Sequence, residues 1–398
     1  MAGVLEGVKV VDMGVAIAIP SAAVMMADWG ADVIKLEPTN VQEQWQRPPG
    51  MANYAVGSLL NRNKKSLAVN LKKEAGTEIL HKLIQGTDIF ITNYEVKTIK
   101  RLGADYGTLS RINPGLIHCF LTAYGTEGPD KDLRGRDFTA AWARAGAQYQ
   151  IGEPGSSPAI NLWGYVDKVT GAHAAAGMLA ALWHREKTGK GQELDLSLYH
   201  VGVWTMAHDI QSALMGAPPP KTERDRTGAH ANPLWNAYRA KDGLWFQLAA
   251  HGGSEWLDFC RAVERPDLEN DPRFTSGQEA LSQNCEELIH ILDEVFATKT
   301  RKEWEERFRE YDVIYGNVVT PLEVTTDPQA LANGFFAEID HHTQGKMKVV
   351  TTPTKFHQNP ASVRTPAPEK GQHTEEILLD LGYSWEEIAQ LKEQEVIL

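Results

Sequence analysis

Apolar residues in the first third of the chain fall in short blocks separated by stretches of helical spacing. Val8–Met13 (VKVVDM), Ala31–Glu37 (ADVIKLE), Ser66–Leu71 (SLAVNL), Asp88–Asn93 (DIFITN) and Leu116–Thr122 (LIHCFLT) are β-rich runs. Between them, Pro20–Trp29, stopped by Gly30, and Glu74–Ile84 carry helical periodicity. Strands alternating with helices predict a parallel sheet with covering helices. The runs are continuously apolar, as strands buried on both faces require.

Downstream, Asp167–Arg185 (DKVTGAHAAAGMLAALWHR) has small residues at helical spacing. That predicts an internal helix against which another backbone packs closely. Glu193–Leu198 alternates as a strand does, and a helix follows to Met215. Residues 216–233 hold three consecutive prolines and a charge run, the marks of a linker. Residues 234–325 read as a smaller α+β unit opening on a hairpin with its turn at Lys241–Gly243. Lys346–Thr352 reads as a strand. Ser384 and Glu387 stand at capping-box spacing before a last helix.

Length and charge narrow the classes. The 398 residues exceed one ordinary domain, and 42% hydrophobic content supports a sizeable core. A formal charge of −12 disfavours a general nucleic-acid partner. No apolar run is long enough for a membrane span. The start, MAGVLEGVKVVDM, lacks a basic segment leading into an apolar one. Cys119, Cys260 and Cys285 are scattered without a CxxC, so neither a disulfide framework nor a zinc site is signalled. A cytoplasmic location is expected.

Candidate chemistry begins with exclusions. The loop after the first strand reads GVAIAIP, without the GxGxxG of dinucleotide binders, although Glu37 ends the second strand where such folds place a ribose-binding acid. No P-loop and no GxSxG occurs. His341 and His342 are neighbours facing opposite ways on a strand, a poor metal pair. Basic residues gather at Arg62, Lys64, Lys65, Lys72 and Lys73, and again at Lys97, Lys100 and Arg101. They read as phosphate contacts or as a solvated charged face. Asp167, just before the small-residue helix, reads first as a cap whose neighbouring N–H groups keep it ionised.

Longer segments resemble the class III CoA transferases, the family of formyl-CoA transferase and CaiB. They are LEGVKVVDM, ADWGADVIKLEP, NRNKKSLAVNLK, DIFITNYEVKTIKRLG, INPGLI, Asp167 with TGAHAAAGMLAALWHREKTGKGQELDLSL, and the final GQHTEEILLDLGYSWEEIAQLKEQEVI. GRDFTAAWARAG further resembles the branch acting on aryl and branched-chain 2-hydroxy acids.

The resemblance implies an α/β fold. A Rossmann-like large domain is formed by residues 1–215 and a return segment, 326–398, around a small domain, with an interlocked ring-like homodimer. It implies an acyl-CoA donor and a carboxylic acid acceptor as substrates, and no tightly bound cofactor or metal. Asp167 would be the nucleophile, forming a mixed anhydride and then an aspartyl-CoA thioester. Ala16 and Ile17 would lie near the pantetheine. Val69 to Lys72, Asn93, Tyr94 and Arg101 would surround the nucleotide end, with Arg134 at a further basic position. Among the other basic residues, Arg62, Lys64, Lys65, Lys73 and Lys97 stay with the solvated face.

Asp137 would orient the acyl group or accept a structural hydrogen bond. Trp45, Trp163 and Tyr165 would line an aromatic acyl pocket or belong to plain core. Gly228, in RTGAHANPLW, would belong to a loop shielding the intermediate. α-Methylacyl-CoA racemase shares this fold. Its proton-shuttling histidine is matched here by Arg136, which stays protonated and shuttles poorly. A partner subunit of a hetero-oligomeric transferase is the other alternative, and Asp167 argues against it.

Overall fold

The computed structural model describes residues 3–40, 52–152, 155–217, 226–227, 232–250, 254–275, 283–341 and 344–398. Contacts divide the chain into two units. The first comprises Met1–Gln148, Ile160–Pro219 and Asn333–Leu398, and the second Tyr149–Ala159 and Pro220–Ala332.

The first unit is built on a six-stranded parallel sheet. Its strands are β1 (Lys9–Met13), β2 (Asp32–Glu37), β3 (Lys64–Ala68), β4 (Ile89–Thr92), β5 (Ile117–Thr122) and β6 (Gln192–Ser197), in the order β3-β2-β1-β4-β5-β6. The central strands are mostly apolar because both faces are covered. Val10, Ile89, Ile91, Ile117 and Cys119 face one core, and Val11, Phe90, Leu116 and Phe120 face the other.

Helices α1 (Ala18–Asp28), α2 (Ala52–Asn61), α3 (Glu74–Ile84), α4 (Val96–Arg101) and α5 (Tyr106–Ile112) precede a seven-residue π-helical turn, Asp137–Ala143. They are followed by α6 (Tyr165–Thr188), α7 (Leu198–Thr205) and α8 (Ala207–Leu214). The first core holds α1 and α6. The predicted close approach occurs at Gly171, where a Cβ would stand 2.6 Å from Ser21 Cβ and 2.9 Å from the Ala18 carbonyl oxygen. The second core holds α3 together with the helices Thr374–Asp380 and Trp385–Glu393 of the return segment.

The return segment also pairs a hairpin, Phe336–His341 with Gly345–Val350. Its capping box is formed: Ser384 Oγ accepts from the Glu387 N–H at 3.2 Å, and Glu387 accepts from the Ser384 N–H at 2.7 Å. In the second unit, strands Ala237–Arg239, Trp245–Leu248 and Tyr315–Asn317 form an antiparallel sheet, with Gly243 at φ 81° in the turn. An aromatic cluster of Tyr238, Phe246, Phe296, Trp304 and Phe308 packs within this unit.

Several expectations need correction. Arg62 and Lys64 belong to the core and not to a solvated face. Arg62 forms a two-pronged bond to Asp28, at 2.7 and 3.1 Å, and Lys64 lies 2.8 Å from Asp12. Strand β3 accordingly begins at Lys64, two residues before the predicted start, because Asp12 draws that lysine inside. Glu37 is buried and accepts from Ser66 Oγ at 2.9 Å, so it is turned inward. Trp163 and Tyr165 are 47% and 56% exposed, which excludes plain core.

Candidate active site

In this strand order the connections leaving β1 and β4 run to opposite sides, and the carboxyl ends of the two strands open a crevice where ligands bind in such sheets. The β1 loop, Gly14 to Ile17, lies there. Its backbone is held from several sides. Asn93, just after β4, accepts from the Val15 N–H and donates to the Val15 carbonyl, each at 2.8 Å. Asp12 accepts from the Gly14 N–H at 2.8 Å, and Lys35 Nζ donates to the Gly14 carbonyl.

Asp12, Lys35 and Lys64 are all buried, on three neighbouring strands. Burial pushes the Asp12 carboxyl up, but Lys35 and Lys64 outweigh it and hold the group below its ordinary value. Ala16 is thereby fixed at φ 65°, a left-handed conformation that costs a non-glycine residue about 1–2 kcal/mol. Such strain is characteristic of functional loops.

Asp167 comes from the opposite direction. Helix α6 starts after Gly164, which caps it at φ 70°. A Cβ at Gly164 would meet Ile17 Cδ1 at 2.6 Å, so the β1 loop presses directly on the head of α6. Asp167 sits half-buried in the first turn. Beside it, the π-helical turn presents Asp137, which is 2% exposed. Asn161 Nδ2 donates to Asp137 Oδ2 at 3.3 Å, and the Phe138 and Gly164 N–H groups also bond its carboxylate.

Burial raises the Asp137 carboxyl. Asp167 is pushed up to about 7, by burial first and by the negative Asp137 second, against Lys168 and Arg136. This corrects the sequence expectation twice. Gly164 is the cap, and desolvation with like charge overrides the helix-terminal field that was expected to keep Asp167 ionised. For Asp137, the structural hydrogen bond is present.

The remaining candidates lie after strand ends. Val69 follows β3 directly and is buried, bridged to Ile397. Lys72 is exposed two residues after Asn70, whose side chain accepts the Lys72 N–H at 3.2 Å. Tyr94 is half-buried after β4, and Arg101 is exposed in the last turn of α4. Arg134 is exposed and paired with Glu95 at 2.7 Å. Hydrogen bonds and close packing thus join Ile17, Asn93 and the head of α6 into one group, while Val69 and Lys72 stand after β3, Arg101 after β4 and Arg134 after β5. Trp45 and Gly228 lie outside the described residues.

Sequence reasoning passed over Asp12, Lys35 and Asn161. A charged residue inside the apolar runs of β1 and β2 was the available signal for the first two.

Fold and site together define an α/β protein whose switch-point crevice faces a pair of carboxyls with raised proton affinity. Comparison with known proteins gives the class. CoA-transferase family III matches residues 5–374. The (R)-2-hydroxy-4-methylpentanoate CoA-transferase of Clostridioides difficile is 36% identical, with 99% of each chain covered. The cinnamoyl-CoA:phenyllactate CoA-transferase of Clostridium sporogenes is 32% identical, over 99% of this chain and 97% of that one. A CaiB/BaiF family protein from Brucella suis superposes with TM-score 0.83 at 27% identity, covering 96% of this chain and 100% of that one. The chain belongs to CoA-transferase family III and is an enzyme of the CoA-transferase type.

Proposed function

We propose that the enzyme moves CoA from an acyl-CoA to a free carboxylic acid through covalent attachment at Asp167. An Asp167 oxygen attacks the thioester carbonyl carbon, the C–S bond breaks, and CoA leaves as thiolate. The thiolate attacks the Asp167 carbonyl of the resulting anhydride and releases the donor acid as carboxylate. The acceptor carboxylate then attacks the aspartyl-CoA carbonyl and expels the thiolate again. Thiolate attack on the acceptor carbonyl restores Asp167 and gives the new acyl-CoA. Every step exchanges a carboxylate for a thiolate, so no redox change is required.

The observation that carries this reading is the Asp167 carboxyl, raised to about 7 at the crevice of a family III chain. A carboxylate of higher proton affinity is a stronger nucleophile, and Asp137 supplies part of that rise. Ala16 and Ile17 would run along the pantetheine. Val69, Asn93 and Tyr94 would surround the nucleotide end, and Lys72, Arg101 and Arg134 would meet its phosphates. Trp45 would contribute to the acyl pocket and Gly228 to the loop that excludes water.

An aryl or branched-chain 2-hydroxy acid is the acceptor class supported by the names of the two relatives. A homodimer is supported by the apolar side chains left in solvent around Asp167: Ile160 and Leu162 are 77% and 79% exposed.

The test is direct. Incubation with an acyl-CoA followed by hydroxylamine should leave a hydroxamate on Asp167, found by peptide mass spectrometry. Asp167→Asn should lose about 10³-fold or more in kcat. Full activity in that variant, with no adduct in the wild type, overturns the proposal.

A further inference from the structure

Two of the cations around the head of α6 and the π-helical turn are engaged. Lys168 Nζ donates to the Gly164 carbonyl at 3.2 Å. Arg144 is 2.6 Å from Asp130 and stacks over Tyr124 and Tyr199, at 4.9 and 5.1 Å from the ring centres.

Arg136 differs. It immediately precedes Asp137, and its backbone is fixed by the Thr139 hydroxyl, which accepts the Arg136 N–H at 3.0 Å. Its side chain is exposed. Among the described residues its guanidinium makes no hydrogen bond and no ion pair. Because Asp137 is bonded to the Gly164 N–H, Arg136 is held beside the junction from which α6 and Asp167 emerge.

We propose that Arg136 anchors the carboxylate of the acid substrate beside Asp167. The inference rests on the transferase reading and adds the subsite that reading lacks. The acceptor arrives when Asp167 is a neutral thioester, yet it must still bring an anion beside the Asp137 carboxyl, whose negative charge reaches Asp167. Without a cation the acceptor would meet like charge on arrival. The planar fork of a guanidinium matches a carboxylate with two parallel N–H donors. The donor acid leaves as a carboxylate from the same carbonyl, so the anchor serves the leaving acid as well as the entering one. The arrangement recognises the carboxylate alone, which leaves the rest of the acid to other contacts.

The test uses the full-length enzyme with Arg136→Gln and Arg136→Lys. Losing charge-assisted hydrogen bonds to the acid should raise its KM about 10–100-fold. The inhibition constant of the released donor acid should rise in parallel, while the KM for acyl-CoA stays within about twofold. Arg136→Lys should recover part of the loss, because a point charge replaces the fork.

An unchanged acid KM in Arg136→Gln overturns the inference, as does an equal rise in both Michaelis constants. These results are distinct from failure of the transferase reading, in which the wild type itself would form no covalent adduct at Asp167.

Discussion

Asp167 titrates at about 7, so near neutral pH a large share of the molecules carry a neutral acid where the proposed nucleophile stands. Only the ionised form attacks. The kcat/KM for acyl-CoA should therefore rise with pH, falling about tenfold per unit below an inflection near 7. Asp137→Asn removes the repelling charge and should move that inflection to lower pH.

Stability follows the opposite sign. The folded carboxyl keeps its proton above its ordinary value of 3.8, so the stability it contributes is lost as pH rises from about 4 to about 7. Asp167→Asn should melt above the wild type at pH 8, by about 1–2 °C per kcal/mol relieved, and no higher than it at pH 3.5. Asp167 stood out in the sequence as a candidate through its family context. Its proton affinity did not, because that depends on Asp137, thirty residues earlier, being buried against the same helix head.

Elements carry the site through two close approaches. Gly171 lets α1 and α6 touch along their backbones, and Gly164 lets the β1 loop reach the helix head. Gly171→Ala should destabilise the protein by about 1–3 kcal/mol in urea unfolding, because its Cβ meets backbone atoms at about 3 Å. Gly177→Ala on the same helix should gain up to about 1 kcal/mol, since its Cβ meets only Leu194 Cδ1, at 3.8 Å.

The parallel sheet was readable because apolar runs alternate with helical spacing, and the small-residue stripe announced the tight helix contact. The start of β3 was hidden, since Lys64 and Lys65 look like surface until Asp12 is placed beneath Lys64. The π-helical turn and the strand Phe336–His341 left no periodic signal.

At the scale of the molecule, the apolar side chains near Asp167 need a cover. A two-stranded hairpin such as Phe336–Val350 is also marginal without further packing. The proposed homodimer predicts a sedimentation mass of twice the chain. Leu162→Asp, placing a charge on one of the most exposed of these positions, should return it to one chain mass.

The return segment has a consequence for how the protein is made. Ile377, Leu378, Ile388 and Leu391 complete the core on one side of the sheet, and Val396 and Ile397 close over the exit of β3. All six strands have been synthesised once Ser197 is added, yet this cover begins only at Thr374. At about 5–20 residues per second, translation leaves the rest of that face open for on the order of 10–35 s. The nascent chain therefore carries a sheet face only partly covered, by α3 and the helices after it, through much of its synthesis, the interval in which a ribosome-associated chaperone would have its substrate.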